Sequence, residues 1–243
     1  MFPIRDNIPR RYPPYATRII VGVNTLFFLY ELGLDDRALH RLFYLLGFVP
    51  ARYFHADWAQ WVGLPEASVL PLFTHMFLHS GLLHFAANMW ILWVFADNVE
   101  DVMGPVRFIG FYLLCGLAAL AGHVLFNTNS TMPVVGASGA IAGVMGAYLL
   151  LYPRAQVLTL IPIFIFPFFV VLPALTFLGL WFLIQIFSGL FSMAGSQGGG
   201  VAWWAHAAGF VAGMIFVPFF KDDKRCSWCY MDSGRNSDTF RFH

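Results

Sequence analysis

The sequence predicts an all-α, polytopic membrane protein: a bundle of six transmembrane helices. Three observations carry that expectation. Of 243 residues, 59% are hydrophobic and 11% charged, and the mean hydropathy is +0.68. Soluble domains carry about 45–50% apolar and about 25% charged residues, and a soluble body of this size could not hide so much apolar surface. The apolar residues also gather into six stretches that read as helical spans of a ~30 Å hydrocarbon layer. Finally, the Lys and Arg residues fall unevenly between the segments joining those stretches. The same composition excludes a disordered chain. A net charge of +1 leaves no basic face for a nucleic acid, and three cysteines supply no disulfide framework.

The elements follow in order. Residues 1–18 (MFPIRDNIPRRYPPYATR) are polar, proline-rich and basic. They lack the apolar run and small-residue cleavage site of a removable signal, so they read as a cytoplasmic N-terminal segment. The membrane domain covers 19–219. Its first span is Ile19 to Leu34. Residues 35–70 mix Asp35, Asp36, Arg37, Arg41, Arg52, Asp57 and Glu66 with Leu, Phe, Tyr and Trp, a mixture that suits short interfacial helices in a first external loop. The second span runs from Phe73 to Phe95, the third from Val106 to Phe126, and the fourth from Ser138 to Tyr152. Residues 157–172 (VLTLIPIFIFPFFVVL) are apolar but interrupted by Pro162 and Pro167. They read as a hairpin or reentrant segment in preference to a seventh span. The fifth span is Pro173 to Met193 and the sixth Val201 to Phe219. Residues 220–243 form a cytoplasmic tail, where Cys226 and Cys229 read as two reduced thiols, or at most half a zinc site.

With six spans and the N-terminus inside, Arg5, Arg10, Arg11, Arg18, Arg107, Arg154, Lys221, Lys224, Arg225, Arg235 and Arg241 lie on the inner side. Only Arg37, Arg41 and Arg52 lie outside. This positive-inside bias supports an even span count with both termini cytoplasmic.

Ionisable groups within spans are expensive and mark functional sites. Here they concentrate in three places. The second span opens with His75, His79, His84 and Asn88; the fourth with Gly136-Ala137-Ser138-Gly139; the sixth carries His206. Spans two, four and six all descend from the outer side, so His84, Ser138 and His206 fall at a similar depth. His84 and Asn88, four residues apart, share a helix face. Gly139 and Gly143 on span four, and Ala205, Gly209 and Gly213 on span six, repeat small residues at the same spacing, which lets helix backbones approach closely. A serine and a histidine on such helices can reach hydrogen-bond distance, the minimum for an activated nucleophile. His84, Asn88 and the Ser138 backbone N–H are suited to stabilise an oxyanion. No carboxylate stands beside His206 in the sequence, so a dyad is expected.

Each feature has a plainer reading. Ser138 alone is an ordinary helix N-cap, and His206 alone a packed histidine bonded to a carbonyl. His75, His79 and His84 have spacings compatible with zinc, yet no Asp, Glu or Cys joins them, so no metal or other cofactor is expected. Cys115 reads as packing.

Together these residues resemble the rhomboid family of intramembrane serine proteases. His75-x3-His79-x4-His84-x3-Asn88 is similar to the family's His/Asn motif. Gly136-Ala137-Ser138-Gly139 is similar to its nucleophile motif, and Ala205-His206-x2-Gly209-x3-Gly213 to its general-base motif. The likeness covers about residues 16–220. It implies a rhomboid-like six-helix bundle with Ser138 as nucleophile and His206 as general base. It implies His84 and Asn88, with Gly136, as the groups serving the transition state, and His75, His79, Gly139, Gly209 and Glu100 as structural residues around the site. Two departures stand out. Many members carry a Trp-Arg pair before span two, where this chain reads Glu66-Ala67-Ser68-Val69-Leu70-Pro71. Some place an aromatic residue four after the serine, where this chain has Ala142; Trp203 or Trp204 is the expected substitute for orienting His206.

The resulting expectation is an endopeptidase that cuts transmembrane protein substrates in the lipid bilayer, with its active site opening outward and Gly195-Ser196-Gln197-Gly198-Gly199-Gly200 as a flexible cap. The absence of appended domains points to a prokaryotic plasma (inner) membrane. The rivals are a catalytically silent rhomboid relative that binds membrane proteins, and a small transporter.

Overall fold

A computed structural model describes residues 1–163, 166–194, 202–226 and 229. The chain is mostly helical. Four helices among the described residues are long and apolar enough to cross a membrane: α6 (Leu82–Met103), α7 (Pro105–Phe126), α9 (Ala174–Ala194, over Ala174–Ser192) and α10 (Trp203–Phe220). Two more helices stand where spans are expected. One is α1 (Tyr15–Leu32); the other, α8 (Ser138–Leu151), has only 14 residues.

The expected second span begins nine residues late. Residues 71–77 form a short α5 (Pro71–Thr74) and a 3₁₀ turn (His75–Phe77), and α6 starts only after Gly81. The first loop holds α2 (Asp36–Leu46), α3 (Pro50–Phe54) and α4 (Ala56–Trp61). α2 starts where Asp35 accepts the Ala38 N–H at 2.8 Å, an ordinary N-cap. The loop is fastened by Arg52, which is buried. Its guanidinium donates to the carbonyls of Pro65 (2.9 Å), Glu66 (2.7 Å) and Leu45 (3.4 Å). The five fixed donors of one guanidinium thus organise a loop that lacks the Trp-Arg pair.

α8 is the centre of the bundle. Every residue but Ser138 and Leu150 is buried, as befits a helix that is apolar all round. It packs on α6, α7, α9 and α10. Its contact with α10 is backbone on backbone. A Cβ on Gly209 would run into the Gly139 carbonyl oxygen, one on Gly213 into that of Gly143, and one on Gly146 into that of Phe210.

The start of α1 is held by Glu100 of α6. The buried carboxylate accepts the backbone N–H groups of Ala16 and Thr17, both at 2.8 Å, and the Thr17 hydroxyl at 2.7 Å. The first N–H groups of a helix lack internal partners and carry its positive dipole end, so a carboxylate there satisfies both demands. The neighbouring Asp101 accepts the N–H groups of Arg11 and Tyr12 at 3.0 and 2.7 Å.

The fold departs from an all-α expectation in one region. Residues 157–172, expected as a hairpin or reentrant segment, form two strands over their described part. β2 (Gln156–Ile163) and β3 (Phe166–Pro173) pair antiparallel, and the N-terminal β1 (Phe2–Asp6) adds to β2, giving the order β1-β2-β3. β-branched and aromatic residues favour strands, and prolines at 162, 167 and 173 forbid a helix. Pro162 pairs with Pro167, where neither strand offers an N–H to the other, and it lies beyond the last β1–β2 pair, Phe2 with Leu160. β1 is tied to the helices through the Trp90 indole N–H, which donates to the Pro3 carbonyl at 2.6 Å, and through a bond between the Tyr148 hydroxyl and Asp6. Cys226 and Cys229, expected as two thiols, are joined in a disulfide with Cα atoms 5.3 Å apart. The Gly195–Gly200 stretch lies outside the described residues.

Burial pushes the Asp6 carboxyl from 3.8 up to about 8; the Tyr148 hydrogen bond opposes the rise and the nearby Asp97 adds to it. A carboxyl kept protonated by folding favours the folded state below its unfolded pKa, and that advantage is lost as pH climbs through the folded value. Melting in detergent should therefore weaken between pH 4 and pH 8. Asp6→Asn keeps an acceptor for Tyr148 but cannot ionise, so it should flatten the slope by at least roughly 2–4 °C, the shift that ~1 kcal/mol gives a chain of this size. Parallel melting profiles for variant and wild type would contradict this assignment.

Candidate functional site

Ser138 is the first residue of α8, so its backbone N–H is one of the four that the helix leaves without an internal partner. Its hydroxyl faces α10, where the glycine contacts bring the helices together. The Ser138 Oγ lies 2.7 Å from the His206 Nε2. On its other side the imidazole Nδ1 lies 2.8 Å from the side-chain oxygen of Gln185, on α9. A glutamine oxygen only accepts, so Nδ1 carries the proton and Nε2 presents its lone pair to the serine hydroxyl. That arrangement can withdraw a proton from Ser138.

Of the two tryptophans expected to orient His206, Trp203 packs against its ring. Trp203 meets the imidazole edge-on at 6.3 Å between ring centres, and Trp181 of α9 lies tilted at 6.0 Å. Trp204 instead stacks on Phe126 at 4.4 Å.

Opposite Ser138 stands the start of α6. The His84 Nδ1 accepts from Ser80, both from its hydroxyl at 3.0 Å and from its backbone N–H at 3.4 Å. A backbone N–H can only donate, so His84 carries its proton on Nε2. That nitrogen points at Gly136: a Cβ built there would lie 2.8 Å from it and 3.8 Å from the Asn88 amide nitrogen. Asn88 is 5% exposed, and its amide nitrogen has no partner in the protein. Buried donors are rarely left unpaired. Three N–H donors, from His84, Asn88 and the Ser138 backbone, thus converge on the turn before α8.

Gly136 makes this convergence possible. Its φ of +124° lies where L side chains rarely go, and the space a Cβ would fill belongs to the His84 ring. Its N–H donates to the His75 carbonyl at 2.8 Å, which fixes the turn against the segment ahead of α6.

The remaining residues singled out by sequence lie around this centre. The His75 ring, buried, donates from Nδ1 to the Pro71 carbonyl at 3.0 Å. The His79 backbone N–H donates to the Glu31 carboxylate at 3.1 and 3.3 Å, and its ring packs edge-on against Phe28, Phe85 and His84. Burial pushes both imidazoles down to about 4, so both are neutral at pH 7. Gly139 and Gly209 form the α8–α10 contact. Glu100 stands four turns further along α6, holding α1.

Sequence reasoning did not single out two members of the site. One is Gln185, whose signal is its being the only amide side chain in α9. The other is Ser80, four residues before His84.

A family model described as "Rhomboid domain" matches residues 66–222. The mouse presenilin-associated rhomboid-like protein, mitochondrial, is 33% identical over 107 residues, covering 42% of this chain and 28% of the mouse protein. The mitochondrial RHOMBOID-like protein 6 of Arabidopsis thaliana is 38% identical over 78 residues, 32% of this chain and 25% of the plant protein. The rhomboid protease GluP of Bacillus subtilis is 40% identical over 78 residues, 32% of this chain and 15% of the bacterial protein. The aligned region thus spans less than a third of each of these relatives.

Gly136→Ala should lower stability by roughly 1–3 kcal/mol, the cost of holding an L residue in such a conformation. Gly22, mid-helix in α1 with open space around it, serves as control: Gly22→Ala should be neutral or stabilising by up to ~1 kcal/mol. Thermal melts of both variants check this, and equal stability of the two would contradict the role given to Gly136.

Proposed function

The chain belongs to the rhomboid family, and on that premise we propose that it is a serine endopeptidase acting within the membrane through a Ser138–His206 dyad. The observation that carries this reading is the 2.7 Å approach of the Ser138 hydroxyl to the unprotonated His206 Nε2. A silent relative would have no need to keep that pair bonded.

The protein is a multi-pass membrane protein, and rhomboid proteins act on membrane-protein substrates within a bilayer. In the proposed topology α1, α6, α7, α8, α9 and α10 are the six spans, both termini are cytoplasmic, and the membrane is a prokaryotic plasma membrane. α8 is roughly 21 Å long at 1.5 Å per residue, well short of a ~30 Å hydrocarbon layer. Other helices surround it, so its ends need not reach the headgroups. In this topology Ser138, at the outer end of α8, lies below the membrane surface.

The chemistry follows from the donors and acceptors. As the Ser138 oxygen attacks the substrate carbonyl, its proton passes to the His206 Nε2, an O–C bond forms, and the carbonyl electron pair moves onto oxygen. The Ser138 N–H, the Asn88 amide and the His84 Nε2–H meet that negative charge; the unpartnered Asn88 donor supports the assignment. His206 then returns its proton to the departing amine as the C–N bond breaks, and water releases the acyl group by the reverse path. A substrate helix hides its carbonyls in internal hydrogen bonds, so it must unwind locally. Weak helix formers near the cleaved bond should be favoured, with small side chains beside it as the family resemblance implies.

Purified protein in proteoliposomes with a transmembrane reporter tests the reading. Ser138→Ala should abolish cleavage. Asn88→Ala should cut kcat by about 10²–10³, the effect of losing one oxyanion donor. Undiminished cleavage by Ser138→Ala would refute the dyad.

A further inference from the structure

Gln185 is buried in the middle of α9, whose other polar side chains are the hydroxyls of Thr176, Ser188 and Ser192. A primary amide there has both a donor and an acceptor to satisfy, and a buried polar group without partners is costly. Its nitrogen donates to the Trp181 carbonyl at 3.3 Å, one turn back on α9, and its oxygen faces the His206 Nδ1 at 2.8 Å. The reverse amide orientation would set two oxygens against each other at Trp181, so a single orientation satisfies both ends. That orientation admits only one imidazole tautomer, with the proton on Nδ1. The continuous series is then Ser138 hydroxyl, His206 Nε2, His206 Nδ1–H, Gln185 oxygen, Gln185 N–H and Trp181 carbonyl.

We infer that Gln185 is a positioning residue of the dyad, locking His206 in the tautomer and ring angle that point the Nε2 lone pair at Ser138. The inference rests on the protease reading above. It adds that a neutral amide fills the role a carboxylate takes in a Ser-His-Asp triad. The amide suits this setting: it accepts the Nδ1–H without bringing a full charge among Trp181, Trp203 and Phe210. It also places the base under the control of a second helix. α10 carries His206, but α9 sets its orientation through this bond and the Trp181 ring. In Ala174–Ala194 no other side chain offers an amide or a charge.

The test compares Gln185→Leu and Gln185→Glu with wild type and with Ser138→Ala, using reporter cleavage in proteoliposomes across pH 5–9. Gln185→Leu removes the acceptor. It should lower kcat by about 10- to 100-fold, within the range of a disturbed general base, and leave KM for the reporter unchanged. Gln185→Glu keeps an acceptor and adds a negative charge beside Nδ1. It should restore most of kcat at alkaline pH and move the acid limb of the kcat profile upward by about one pH unit or more. Wild-type kcat in Gln185→Leu, or an unmoved acid limb in Gln185→Glu, would overturn the positioning role. Cleavage surviving Ser138→Ala would overturn the protease reading itself, whatever the Gln185 variants do. If Gln185→Leu does not fold, the profile of Gln185→Glu decides.

Discussion

The contact between the α8 and α10 backbones is the constraint on which the rest of the structure depends. Gly209 sits against the Gly139 carbonyl and Gly213 against that of Gly143, with no side chain between. Lipid tails are as apolar as leucine, so helices inside a bilayer associate by close packing rather than by escape from water. Glycine at four-residue spacing gives the closest packing available. The 2.7 Å bond between Ser138 and His206 is a consequence, since a Cβ at either glycine would push the helices apart by more than a hydrogen bond tolerates.

Around that contact the buried charged side chains, Glu31, Arg52, Glu100 and Asp101, are each hydrogen-bonded. Glu100, Asp101 and Arg52 are bonded chiefly to backbone groups whose own partners are missing, at the start of α1 and in the first loop. Asp6 and Tyr148 satisfy each other where β1 meets α8. The Asn88 amide nitrogen is a buried donor without a partner, and it lies beside the turn that leads into Ser138. In the proposed mechanism this donor meets a charge that appears only during reaction.

Much of this was legible in the sequence because membrane helices declare themselves by continuous apolarity. α7, α8, α9 and α10 lie within two residues of the expected spans at either end. The second span is expected nine residues early because Phe73, Met76, Phe77 and Leu78 extend the apolar stretch backwards, while Pro71 and Gly81, which bound the break, weigh little in hydropathy. Helix periodicity brought His84 together with Asn88, and the small-residue spacing predicted the α8–α10 approach. The sheet was not legible. Its β1–β2 pairing joins Phe2–Asp6 to residues about 150 positions later, and an apolar run broken by prolines leaves hairpin and reentrant helix equally open. Gln185 was missed for a related reason. A lone glutamine in an apolar span has no local partner to announce it, and its role depends on where α9 packs. Sequence proximity to His206 points to Trp203 and Trp204, while the amide that bonds it lies 21 residues earlier.

The central claim is that the fold makes one serine nucleophilic by placing it against an imidazole with a free Nε2. Labelling the membrane-embedded protein with a fluorophosphonate and locating the adduct by peptide mass spectrometry tests it most directly. A single adduct is expected, on Ser138, and it should disappear in His206→Ala. An adduct on another serine, the same labelling in His206→Ala, or no labelling of the folded wild type would contradict it.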